Sequence, residues 1–395
     1  MSFRIDFKTK HFGILALAVG SFAIGTAEFV AMGLQPEMAR SSHVSIATAG
    51  QYISSYALGV VIGAPILAIV TAKLPHKAVL IGLMFCYALA NIISSFFSVF
   101  NVLVILRFIS GLPHGIYFGI ATMVASSMVE RNERSKAVGS VMLGLTIATV
   151  IGAPSATWIG QLVGWQFAFL LVGIISLMCC FLIWKFLPSV SNITKTSILN
   201  ELSALKKKEV WFLLAMVSIG ASGLFSVFTY IKSTLLYISN VSLEWVPFIM
   251  PLMGLGMVVG NILGPKFAVK IGSSATIFFA MLWSTFVFFL FFFLSYTPLT
   301  AALGCFLIGT SFASMPSIQA KIIDIATPAQ MLASALMQSA FNIANAIGAE
   351  FGACILKLGY SYEHTAILGG ILTLCGLLMF CFLWHMEKYN QYFPK

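Results

Sequence analysis

Twelve uninterrupted apolar stretches divide this chain of 395 residues, and each is about the 20 residues needed to cross a bilayer. They fall at 12–34, 50–71, 78–98, 101–124, 137–159, 166–187, 211–235, 246–266, 275–295, 299–320, 333–356 and 364–385. Only 9% of the residues are charged, whereas a water-soluble domain carries about 25%. A soluble enzyme, a nucleic-acid-binding protein and a disordered chain are thereby excluded. Strand-type alternation is missing, which argues against an outer-membrane barrel. The expected fold class is an all-α membrane protein of twelve transmembrane helices. The first stretch follows basic residues as a signal peptide does, but it is too long and lacks a small-residue cleavage site.

Basic residues set the expected orientation. Alternating the stretches across the bilayer puts 18 of the 22 Lys and Arg on one side, among them Lys73, Lys77, Arg131, Arg134, Lys136 and Lys206 to Lys208. The opposite side has Arg40 and Lys357 alone, and Arg107 and Lys232 lie within or at the edge of stretches. Both termini are expected in the cytoplasm. The net charge of +10 then reads as a topology signal and an attraction to anionic lipid, not as nucleic-acid binding. The seven cysteines all lie in apolar stretches without CxxC pairing and read as packing residues. No cofactor or metal is expected.

The two sets of six repeat each other. Leu58 to Gly63 matches Leu255 to Gly260, and Ile147 to Ala153 matches Ile343 to Ala349. An even number of spans per half gives parallel repeats, an architecture suited to alternating access around a midplane site. The expected organisation is a six-helix half over 1–187, a cytoplasmic connection over 188–210 and a second half over 211–395. Within the connection, Ile198, Leu199, Leu202 and Leu205 recur at helical spacing before three lysines. That reads either as an amphipathic tether on the inner membrane surface or as a passive linker. The third and sixth spans of each half are poorest in polar groups and are expected to face lipid.

Intramembrane polar groups are costly and are the first candidates for function. Glu28 and Glu350 are the two of twelve carboxylates inside spans. Glu28 and Arg107 each lie six residues from the outer end of their spans, about 9 Å deep by helical rise. An ion pair is geometrically reasonable, with Glu28 a proton or substrate-linked site tuned by Arg107; the alternative is a static pair ordering two spans. His114 follows Arg107 by two turns on the same face, as a proton relay or as a packing hydrogen bond. Glu350 replaces the first half's Pro154, as a second titrating group or a satisfied polar contact. Gln338, Asn342 and Asn345 form one stripe that could bind a polyol or glue helices together. Tyr52, Tyr56, Tyr117, Phe118 and Tyr230 offer aromatic surface to a substrate, on a weak signal. Gly139, Gly144, Gly152, Gly160 and Pro154 combine close helix approach with a proline bend, a hinge or seal for the fifth span.

Four segments carry a resemblance. Gly25 to Leu34, Tyr56 to Pro65, Arg107 to Gly115 and Gly144 to Pro154 resemble the major facilitator superfamily, in particular its twelve-span proton-driven efflux branch. Within that branch the chain looks like bacterial arabinose-type sugar efflux and purine efflux permeases. The resemblance implies a cytoplasmic loop between spans two and three with an acidic residue beside basic ones. Lys73 and Lys77 are present there, but the acidic position reads Ala72 and the following glycine reads Pro75.

The expected function is therefore secondary transport by alternating access: proton-coupled efflux of a sugar or similar small polar solute. The partners expected are that solute, protons and membrane lipid, with the protein a monomer in the bacterial inner membrane. The alternatives are export of purines, nucleosides or drugs, and proton-coupled uptake. A polytopic enzyme or a sensor is a further class, but the six histidines are scattered and the two buried carboxylates lie in different halves. No phosphate-binding P-loop is present, which argues against an ATP-driven pump.

Overall fold

The computed structural model describes residues 7–44, 46–188, 201–242, 244–327 and 329–392. Twelve helices are long and apolar enough to cross a membrane. Spans one to six are His11–Gly33, Gln51–Thr71, His76–Ser94, Phe100–Ser127, Arg131–Val163 and Trp165–Phe186. Spans seven to twelve are Lys208–Tyr237, Phe248–Ile271, Ser273–Leu294, Pro298–Ile325, Gln330–Lys357 and His364–Met386. Ile198 and Leu199 of the expected amphipathic segment lie outside the described residues.

By contacts the chain forms two units. One comprises residues 1–204 with 326–339, and the other comprises 205–325 with 340–395. In the first unit, small residues set how closely helices pack. A Cβ on Gly59 of span two would strike the Phe108 carbonyl and lie 3.1 Å from Gly111 Cα of span four. Glycine here is a requirement of close backbone approach. The second unit repeats the contact between spans eight and ten, where a Cβ on Gly256 would strike the Phe306 carbonyl and lie 2.9 Å from Gly309 Cα. The sequence repeat is thus a repeat of packing.

The α-helical ladder of span five is interrupted beside its proline. A π-helical turn over Ala148–Gly152 precedes Pro154, whose ring nitrogen cannot join the helical ladder. Its glycine face has a partner inside the first unit. Cβ atoms on Gly144 and Gly152 would strike the Ala18 carbonyl and the Thr26 hydroxyl of span one.

Span three departs from a purely lipid-facing helix. Phe85, Leu89 and Ile93 are exposed along one face, but Tyr87 and Asn91 on the other are buried. A single stripe of apolar exposure meets the bilayer, and the opposite stripe brings a hydroxyl into the unit's interior. Lys77, at the start of this span, donates from Nζ to the Leu187 carbonyl at 2.7 Å. That places a cation on the C-terminal end of span six, where the helix dipole favours it. Lys73 is exposed.

Candidate transport site in the first unit

The close approach at Gly59 and Gly111 brings Tyr56, one turn before Gly59, against span four. Its hydroxyl lies 2.9 Å from His114 Nδ1 and 3.3 Å from the Tyr87 hydroxyl of span three. Tyr87 in turn donates to the Ile24 carbonyl of span one at 3.4 Å. The direction of this chain follows from its end. A carbonyl only accepts, so Tyr87 gives its single proton to Ile24 and accepts from Tyr56. Tyr56 has then committed its own proton, and His114 Nδ1 must be the donor to it. This assigns neutral His114 to the Nδ1–H tautomer, with Nε2 left as the acceptor. The chain ends on the carbonyl one helical turn before Glu28.

Arg107 stands two turns before His114 on span four. Its guanidinium lies 4.2 Å from the centroid of the Tyr56 ring and 5.8 Å from that of Phe169. Its Nε donates to the Tyr52 carbonyl at 3.2 Å. The residue is 1% exposed, yet Nη1 has no hydrogen-bond partner. Glu28 is half-buried on span one. No N···O contact of 4 Å or less joins Glu28 and Arg107 among the described residues, so the expected pair is not closed. Both N–H groups of Nη1 therefore stay open in the protein interior, where unmet donors are expensive.

The remaining candidates spread out from this centre. Phe118 packs on the His114 ring at 5.3 Å. The Tyr52 hydroxyl donates to Ser42 Oγ at 2.8 Å, and the Tyr52 side chain belongs to the buried cluster of Val30, Leu34, Met38 and Trp165. Tyr117 points the other way and donates to the Leu17 carbonyl at 2.7 Å. Tyr230, in the second unit, donates to the Ala349 carbonyl at 2.9 Å. Glu350 is exposed, Asn345 is half-buried, and Gln338 and Asn342 are buried on span eleven. Gln338 belongs to one unit and the two asparagines to the other.

Tyr87 is the member of the centre that sequence reading missed. Its signal was Tyr87 and Asn91 at i and i+4 on an otherwise apolar span. The repeat also shows that this chemistry belongs to one half. Carried along the Gly59–Gly256 and Gly111–Gly309 correspondence, Tyr56, Arg107 and His114 fall on Met253, Cys305 and Phe312. The charged centre has no counterpart at those three positions of the second unit.

A bundle of twelve membrane-spanning helices built from two repeated six-helix sets, with charged and titratable side chains in its interior, defines a polytopic membrane transporter. The Major Facilitator Superfamily model matches residues 17–320. The chain is 33% identical over 373 residues to the inner membrane transport protein YdhP of Escherichia coli, covering 93% of this chain and 95% of that one. It is 27% identical over 372 residues to a "Probable sugar efflux transporter" of Helicobacter pylori, covering 94% of each. Its fold matches the human organic anion transporter MFSD10 with a TM-score of 0.76 at 15% identity, covering 94% of this chain and 99% of that one. It matches the Escherichia coli fucose:proton symporter FucP with a TM-score of 0.75 at 12% identity, covering 95% and 99%. The chain belongs to the Major Facilitator Superfamily, whose members are transporters and not enzymes.

Proposed function

We propose that this protein exports a sugar or similar small polar solute across a bacterial inner membrane in exchange for protons, by alternating access of halves 1–187 and 211–395 about the connection 188–210. Both termini are cytoplasmic in this reading. The observation that carries it is the buried Arg107 guanidinium with an open Nη1, near a Glu28 that it does not touch. Solute and proton can then compete for one carboxylate. Deprotonated Glu28 can accept from a solute hydroxyl while the open Nη1 of Arg107 donates to a solute oxygen, whereas a proton on Glu28 removes that acceptor and the negative charge, and the solute leaves. The site thus holds either solute or proton, and exclusive occupancy is what couples export of one species to entry of the other. The His114–Tyr56–Tyr87 chain supplies a path of hydroxyl and imidazole groups that ends one turn from Glu28. The sugar assignment is supported by the likeness to the Helicobacter pylori protein.

The test is substrate-evoked proton movement in inverted membrane vesicles, with a panel of pentoses, hexoses, nucleosides and cationic dyes, comparing the native chain with Glu28→Gln. A sugar that dissipates an imposed pH gradient in the native chain and fails to do so in Glu28→Gln is the expected result. Dissipation by nucleosides or dyes alone overturns the sugar assignment. An unchanged response in Glu28→Gln overturns the role given to Glu28.

A further inference from the structure

The connection between the two six-span sets carries a carboxylate that is 1% exposed, Glu201. A solvated tether has no reason to bury an acid, because burying a charge without a partner is strongly unfavourable. The partner is the start of span eleven: Glu201 Oε2 accepts the Leu332 backbone N–H at 2.8 Å. Leu332 is the third residue of the helix Gln330–Lys357, one of the first-turn donors that has no acceptor inside its own helix. The helix dipole favours an anion at that end, and a hydrogen bond to a carboxylate is among the stronger ones. Six residues further on, Lys207 Nζ donates to the Ile325 carbonyl at 2.8 Å. Ile325 is the last residue of the helix Met315–Ile325 that ends span ten, where the dipole favours a cation. The connection thus sets an acid on the first turn of Gln330–Lys357 and a base on the last residue of Met315–Ile325, each with the sign that helix end favours.

The start of span eleven is also seated on span four within the first unit. Ser334 Oγ donates to the Gly119 carbonyl at 3.1 Å and lies 3.2 Å from Thr122 Oγ1. A Cβ on Gly119 would lie 2.9 Å from the Ala335 nitrogen.

We propose that residues 201–207 are a two-ended clamp on the start of span eleven and the end of span ten, in which Glu201 and Lys207 are positioning residues that hold the inner end of span eleven on span four and must release for the two to part. The clamp is a feature of the chain's own mechanics and does not depend on which solute is carried. Its test therefore needs no substrate. Ser334→Cys is introduced, and its labelling by a membrane-impermeant maleimide is timed in inside-out vesicles with Glu201, Glu201→Gln, Glu201→Ala and Lys207→Met backgrounds. Buried Cys179 of span six is the internal control. Glu201→Ala is expected to speed labelling at position 334 about tenfold, the loss of one hydrogen bond to a charged group. Lys207→Met should follow in the same direction, and Glu201→Gln, which keeps an acceptor oxygen, should fall between. Cys179 should stay unlabelled throughout. Unchanged labelling at 334 in both Glu201→Ala and Lys207→Met overturns the clamp. So does a parallel rise at Cys179, which would mean general loosening.

Discussion

Tyr56 holds His114 by its hydroxyl, at 2.9 Å, and Arg107 by its ring, at 4.2 Å, so one side chain couples a titratable group to a fixed charge. The two contacts use different parts of the residue. The ring face attracts the guanidinium through its quadrupole, while the hydroxyl relays a hydrogen bond from His114 to Tyr87. Substituting the hydroxyl alone therefore separates the relay from the charge.

Tyr56→Phe keeps the ring beneath Arg107 and removes the relay. Both His114 Nδ1–H and the Tyr87 oxygen lose a partner in a buried site, at about 1–3 kcal/mol. The protein should still fold, with a lowered thermal unfolding midpoint in detergent. Proton movement evoked by substrate should fall at least about tenfold, while equilibrium binding of the same solute stays within about twofold. Loss of binding and proton movement together would assign Tyr56 to the solute and not to the relay.

Arg107 is tested by a graded pair. Arg107→Lys retains a cation but not the planar face over Tyr56, nor the Nε bond to the Tyr52 carbonyl. Arg107→Gln removes the charge that acts on Glu28. Vesicle transport normalised to protein amount should drop in the order native, lysine, glutamine, with the glutamine variant at background. Equal activity of the lysine and native chains would show that charge alone is used and that the guanidinium geometry is not.

Lys77 and Lys73 offer a contrast outside the site. Lys77→Met removes the cation from the Leu187 carbonyl at the end of span six and should lower stability by about 0.3–1 kcal/mol. Lys73 is exposed, and Lys73→Met should leave the unfolding midpoint unchanged. Differential scanning fluorimetry of the two purified variants reads the difference. Equal midpoints would remove the capping role from Lys77.

The spans and the repeat were legible because each rests on a local rule, length of apolar run or periodicity, and the expense of charge in hydrocarbon singles out Glu28, Arg107 and His114 as candidates. What escaped depends on contacts between distant segments. Tyr87 lies on a span whose composition says lipid, and only its partner Tyr56, 31 residues earlier, reveals the hydroxyl's use. Glu201 counted as one more acidic residue in a loop, since nothing near it in sequence announces Leu332, 131 residues later. The glycine spacing of span five, with its proline, reads as a hinge or seal. Spacing gives the face but not the neighbour, and the neighbour inside the first unit is span one.

The two halves make a prediction about each other. Gly59 and Gly256 occupy equivalent places in the repeat, and at each a methyl group would be driven into a backbone carbonyl, of Phe108 or of Phe306. Backbone cannot rotate aside as a side chain can, so the helices must separate, at about 1–3 kcal/mol for overpacking of this kind. Alanine also raises helix propensity by about 1 kcal/mol over glycine, which offsets part of the loss. Gly82 in span three calibrates that gain, because a Cβ there meets nothing within 4 Å. Gly82→Ala should therefore be neutral or stabilising, and Gly59→Ala and Gly256→Ala should each lower the unfolding midpoint by a similar amount. The functional outcomes should differ. Tyr56, one turn from Gly59, must reach His114, so Gly59→Ala should impair substrate-evoked proton movement beyond its effect on stability. Met253 stands at the equivalent place near Gly256 and makes no such bond, so Gly256→Ala should lose transport only in proportion to folded protein. Equal transport per folded molecule in the two variants would show that the charged centre of the first half is not what the proton uses.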